Sequence, residues 1–88
     1  MTQEQLNKII ENHQHYLNKD IDGWETMKAD LSYKNLSGLD LSNANLRNAD
    51  LRNANLYKAN LINADLAYTD LRNANLRDAN LRNADLSC

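Results

Sequence analysis

Leucine returns at every fifth residue without a gap from Leu31 to Leu86, and a period of five has no place in ordinary secondary structure. In an α-helix, at about 100° per residue, successive leucines would step by roughly 140° and scatter around the cylinder, leaving no apolar stripe. In a flat strand they would alternate between the two faces. Heptad and leucine-rich-repeat spacings fail as well. Asn and Asp fill 19 of the 60 positions from 29 to 88, which further disfavours a helix because their side chains compete for its backbone groups.

The other positions of the repeat are nearly as regular. The residue two before each leucine is Ala nine times, with Lys34, Leu39 and Thr69 as exceptions, and the residue just before each leucine is always Asn or Asp. A backbone that turns about a quarter circle every five residues satisfies this pattern, with the leucine and the small residue inward and the other three outward. Units such as Ala44-Asn45-Leu46-Arg47-Asn48 resemble the pentapeptide-repeat family, whose signature is A-(D/N)-L-x-x, and the match covers residues 29 to 88. The resemblance implies a mainly β fold, a right-handed quadrilateral β-helix with twenty residues per coil and three coils in all. Stacking by twenties places Asp30, Asp50 and Asp70 in one column and Asn35, Asn55 and Asn75 in the next, spaced by about 4.8 Å.

Residues 1 to 28 follow a different rule. Thr2 and Gln5 form a capping box, Met1 can staple onto Leu6, and Leu6, Ile9, Ile10, His13 and Leu17 share one helical face. The spacing predicts a helix over 3–18, a turn at Asp22-Gly23, and Ile21, Trp24 and Met27 packing between helix and first coil. A solenoid's first coil would otherwise expose its leucines, so this segment is read as a cap. The irregular inward residues Lys34 and Leu39 fall in the coil it would cover. The domains are therefore 1–28, cap, and 29–88, repeats.

Charge and chemistry narrow the function. Residues 1 to 28 sum to −2, while the repeats carry seven Asp against five Arg and two Lys and sum to zero. A basic nucleic-acid groove needs clustered Lys and Arg, so direct nucleic-acid binding is not expected. The stretch Met1 to Tyr16 lacks the features of a signal peptide and no apolar run approaches a membrane span, so the chain reads as cytosolic, without a membrane role. Cys88 is the single cysteine and no internal disulfide framework is possible. His13 and His15 lie on the cap with Cys88 at the far end, so the three form no metal or nucleophile site, and His13 is read as a cap-interface residue. Asp20-Ile21-Asp22-Gly23 puts glycine at the wrong place for a calcium loop. No nucleophile and base can be paired around a filled core without a cleft. The chain is read as a non-enzyme with no catalytic residues, no cofactor and no metal.

The outward residues after each leucine are mostly Ser or Arg, but one coil carries Tyr57, Ile62 and Ala67, with Tyr68 alongside. This predicts an apolar belt, of which Tyr57, Ile62 and Tyr68 make, with Arg52, Arg72, Asp50 and Asp70, the candidate partner-binding set. The family resemblance implies a partner that is a protein. Some members mimic duplex DNA by rod shape and acidic faces, so an inhibitor or protective factor acting on a DNA-handling enzyme, gyrase-like or a phage-targeted nuclease, is the expected role. A structural scaffold with no DNA-related role is the alternative. A homodimer is also expected, closed by a two-fold axis through the last coil, where Leu71, Leu76, Leu81 and Leu86 would face water.

Overall fold

The computed structural model describes residues 1–88. One α-helix, α1, spans Gln3–Asn18, the range the periodicity predicts, and its capping box is formed: the Thr2 hydroxyl accepts from the Gln5 N–H while the Gln5 amide accepts from the Thr2 N–H. Lys19 ends the helix in the left-handed region at φ 54°, returning its N–H to the His15 carbonyl at 2.8 Å. Gly23, at φ 84°, then opens a short 3₁₀ turn over Trp24–Thr26. Trp24 and Met27 are half-buried there, but Ile21, expected between helix and coil, is 42% exposed. The Tyr16 ring bridges the gap instead, stacked on His13 at 5.4 Å and tilted against Trp24 at 6.1 Å.

From Asp30 to Asp85 the chain winds as a four-sided solenoid with a twenty-residue period. Parallel bridges join Asp30 to Asp50 to Asp70, Asn35 to Asn55 to Asn75, Asp40 to Asn60 to Asn80, and Asn45 to Asp65 to Asp85. These are the columns that stacking by twenties predicts. The mainly β expectation needs one correction: no continuous strand forms, and every pairing is an isolated bridge. Each side offers only three extended residues between two-residue corners, so a single Asn or Asp per side is flanked for pairing. The ladder is nonetheless complete within its limits, with the leucine N–H donating to the coil above, as from Leu46 to the Asp65 carbonyl at 2.8 Å, and the Asn/Asp N–H donating to the coil below, as from Asp65 to the Ala44 carbonyl at 2.8 Å.

The Asn/Asp position has a second task that explains why nothing else occupies it. At every repeat its Oδ1 accepts the N–H two residues on, from Ser32 to Asp30 at 3.1 Å through to Ser87 to Asp85 at 2.9 Å. That side-chain bond closes the corner, and either residue type can make it. The second corner residue is left-handed in each of the units from Tyr33 to Asn83, with φ between 58° and 70°. Asn, Gly and Asp tolerate this region, and they hold most of these positions.

The leucines fill the core. The leucines at every fifth position from Leu31 to Leu66 are at most 1% exposed, Leu6 of α1 joins them at 0%, and Ile9, Ile10 and the half-buried Leu39 pack alongside. Thr69, at an alanine position, turns its hydroxyl onto the Leu46 carbonyl at 2.7 Å. Lys34, expected inward, is exposed and lies beside Met1 and Ile9. No helix is long and apolar enough to cross a membrane.

Candidate functional site

The side of the solenoid built from residues 29–33, 49–53 and 69–73 gathers most of the predicted set. Arg52 closes on Asp50 in two-pronged fashion, Nε to Oδ1 at 2.9 Å and Nη2 to Oδ2 at 2.7 Å, and its Nε stands 3.9 Å from Asp70. Arg72 repeats the clamp on Asp70 at 2.9 and 2.7 Å. At the foot of the column, Asp30 accepts from the Ser32 hydroxyl at 2.6 Å. The arginine side-chain bonds hold Asp50 below the usual carboxylate range and bring Asp70 down to about 2, while the Ser32 hydroxyl does the same for Asp30. The result is a ladder of alternating charge that is satisfied within the chain. These are solvent-exposed pairs, so they order the face more than they stabilise the fold.

Tyrosines stand at both corners of this side. Tyr33 follows its lowest unit and Tyr68 precedes its uppermost one, 75% and 59% exposed. Both occupy the left-handed corner position, at φ 61° and 60°. A non-glycine residue without a short polar side chain pays about 1 kcal/mol or more for that conformation, and neither ring recovers the cost by burial. Arg47 lies over the Tyr68 ring at 6.0 Å. A shallow concavity between α1 and this side is lined by Tyr16, Lys28, Arg52, Tyr68 and Asp70.

The predicted apolar belt does not form as a continuous exposed band. Tyr57 and Ile62 are half-buried and Ala67 is 1% exposed, leaving only Tyr68 of the four in the open. By the twenty-residue register Tyr57 falls in the column of Ser37 and Arg77 and Ile62 in that of Ser42 and Arg82, in the middle of the stack, and the Lys58 ammonium lies over the Tyr57 ring at 5.3 Å. Sequence reasoning missed Tyr33. Its signal was present: among residues two after a repeat leucine, Asn, Gly and Asp are the rule from 33 to 83, and Tyr33, Lys58 and Tyr68 depart from it.

His13 is an interface residue, as expected, and its surroundings fix its tautomer. Nδ1 accepts the Ala29 N–H at 2.9 Å, so the ring proton is on Nε2, which donates to the Arg47 carbonyl at 2.7 Å. Burial is the main cause that pushes its pKa below 6.5, with Lys28 adding to it and the Arg47 carbonyl opposing. His15 instead pairs with Asp20 at 2.9 Å, and Cys88 is exposed at the other end. In the last coil Leu71, Leu76 and Leu81 are half-buried rather than open to water, because the leucines beneath still cover them; Leu86 alone is exposed, at 48%.

The model of the family described as pentapeptide repeats matches residues 28–57 and 54–87. Among solved structures, the chain is similar to the pentapeptide repeat protein Rfr23 from the cyanobacterium Cyanothece 51142, at 41% identity and a TM-score of 0.63, over 64% of this chain and 38% of that one. It is similar also to a pentapeptide repeat protein of the Arabidopsis thaliana thylakoid lumen, at 34% identity over 66% and 47% of the two chains, with a TM-score of 0.37. A further likeness is to HetL, a pentapeptide repeat protein involved in heterocyst differentiation regulation from Nostoc sp. strain PCC 7120, at 32% identity over 62% and 39%, with a TM-score of 0.30. The chain thus spans between 38% and 47% of the length of these three proteins. No curated protein matches it. Proteins of this family are right-handed β-helices, typically non-catalytic, and generally serve as protein-interaction or scaffold modules. With twenty-residue coils, corners closed by Asn and Asp, and a family match across the whole repeat region, the chain belongs to the pentapeptide-repeat family.

Proposed function

We propose that this chain is a non-enzymatic protein-binding module that recognises a protein partner through the side bounded by Tyr33 and Tyr68 and paved by Asp50, Arg52, Asp70 and Arg72. The observation that carries this reading is the conformational cost at two exposed tyrosines. Asn at either corner would be less strained, and neither ring is buried in return, the Arg47 contact over Tyr68 being solvent-exposed, so the balance is sought outside the fold. Tyr and Arg are also the residues that dominate protein interfaces energetically. The ion pairs around them are already formed before a partner arrives, which lowers the ordering cost of docking.

The partner class carried over from the family resemblance is a DNA-handling enzyme. The stacked acidic column supports it, while Arg52 and Arg72, clamped onto that column, favour aromatic recognition over mimicry of DNA charge. Inhibition of supercoiling and of nuclease activity by the purified chain is the direct assay, and no effect in either removes that class. For the docking side itself, the double variant Tyr33→Asn/Tyr68→Asn should weaken binding to a purified partner by about tenfold or more, while Tyr57→Ser/Ile62→Ser should change it little. Equal affinity of the tyrosine variant and the parent would leave a passive scaffold.

A further inference from the structure

Three polar side chains of α1 do something a surface helix does not need to do. The Gln3 amide bonds both backbone groups of Asp40, donating to its carbonyl at 2.8 Å and accepting its N–H at 2.8 Å. Gln14 donates to the Asn45 carbonyl at 3.0 Å, and His13 to the Arg47 carbonyl at 2.7 Å. One coil further on, the equivalent groups are served by backbone: the Asn60 N–H and carbonyl by Leu39 and Leu41 at 2.9 and 2.7 Å, the Asp65 carbonyl by Leu46 at 2.8 Å, and the Ala67 carbonyl by Asn48 at 3.1 Å. The helix therefore satisfies the lower edge of the first coil by imitating a coil that is not there.

That lower edge is complementary to the upper edge of the same chain. In the last coil the N–H groups of Leu71, Asn73, Leu76, Asp78, Leu81 and Asn83 make no backbone bond. They are the donors that, in each preceding coil, meet the carbonyls of the coil above. Because the columns run in steps of twenty, Asp30 of a second copy falls on the Asp70 column, placing its carbonyl over Leu71 and the Ser32 carbonyl over Asn73. Arg72 would then lie between Asp70 and that Asp30, as Arg52 lies between Asp50 and Asp70. What covers an edge of this kind is visible within the molecule: another pentapeptide coil.

We infer that α1 is an assembly stopper, and that the first-coil edge beneath it is a latent docking surface for the last coil of a second copy of this chain. The contact is head to tail, so it does not close; once released it grows into an axial filament. Covering an edge with a helix is a known way to prevent such pairing.

Leu6→Asp in the full chain tests this, since a carboxylate in that fully buried site should expel the helix. The expected result, in sedimentation with the far-UV spectrum of the solenoid retained, is a weight-average mass rising with concentration, at least about tenfold above the parent chain. Adding Leu76→Lys and Leu81→Lys should abolish that growth: on the open coil the lysine stems can still cover the core while their ammonium groups emerge through the upper edge. A Leu6→Asp chain that keeps the parent mass, or one whose growth ignores the lysine pair, overturns the inference. Should Leu6→Asp lose its β spectrum, Gln3→Ala/Gln14→Ala, which spares the core, takes its place in the same sedimentation series: growth that the lysine pair abolishes supports the inference, and an unchanged mass overturns it.

Discussion

Truncating Leu61 to alanine measures how tightly the coils hold one another. The side chain is 0% exposed in the coil between Leu41 below and Leu81 above. Losing three carbons at about 0.8 kcal/mol each removes roughly 2.4 kcal/mol of transfer free energy. The remaining cost depends on whether the walls close in, and here they are pinned: Leu61 donates to the Asn80 carbonyl at 2.8 Å, Asn60 to Leu39 at 2.9 Å, and Ala64 back to Leu61 at 3.0 Å. A void of some 60 to 80 Å³ that fails to collapse adds about 1.5 to 2 kcal/mol at 24 cal/mol per Å³. The total is about 4 kcal/mol. Leu81→Ala, half-buried in a coil with nothing bonded above it, should cost about half as much. Urea unfolding of both variants gives the comparison. A Leu61 cost below about 1 kcal/mol, or equal costs at the two sites, would refute the account of a core walled by ladder bonds.

Other outcomes follow from named residues. Leu6 is as buried as the first-coil leucines, so Leu6→Ala should destabilise by an amount close to that of Leu61→Ala, contrary to the smaller loss that a peripheral cap helix would suggest, and the same urea series decides it. Tyr33→Asn and Tyr68→Asn should each raise the melting temperature, since each relieves a left-handed tyrosine; a fall would show that the rings contribute more than the strain costs. For His13, the neutral ring is faced by the Ala29 N–H, the Arg47 carbonyl, the Tyr16 ring and Lys28. Its folded pKa lies below the unfolded value, so the stability it confers is complete above about pH 6.5 and is lost as pH falls below that, through the lowered folded value. Asp50 and Asp70 lose theirs in a separate window, below about pH 3.8. Thermal melts from pH 8 to pH 2 should therefore fall in two stages, the lower one small because its ion pairs are exposed, and His13→Gln should lack the upper stage.

Much of the fold was legible because the repeat states its geometry redundantly. Leu46, Ala44 and Asn45 each reveal the same five-residue step, and the α1 limits were written in Thr2, Gln5 and the Leu6 to Leu17 spacing. The site was less legible. Whether Tyr57 or Tyr68 meets solvent depends on its place at the corner, Tyr57 half-buried at the first corner residue and Tyr68 exposed at the left-handed second one, and composition along the chain does not convey that. Gln3 and Gln14 look like ordinary surface residues of an amphipathic helix. Their role emerges only when α1 lies across carbonyls whose usual partners are absent. Lys34 shows the opposite failure: its repeat position demanded burial, but a long charged side chain found an exit beside Met1.

The twenty-residue ladder also governs how the chain acquires its structure. Each inter-coil backbone bond joins residues nineteen to twenty-one apart, as Leu31 to Asp50 and Asp50 to Ala29 do. The loop that must close to add a coil is thus the same length at every step, and its entropy cost does not grow as the rod lengthens. Folding of this kind resembles templated growth: a slow first coil, then additions of similar speed on an existing edge. The helix that covers one edge at Asp40, Asn45 and Arg47 leaves growth a single direction, toward the C-terminus. Amide exchange should preserve that polarity in the native state, slowest at Leu46 and Leu51, where donors are bonded into the coil above, and fastest at Leu71, Leu76 and Leu81, whose donors are not.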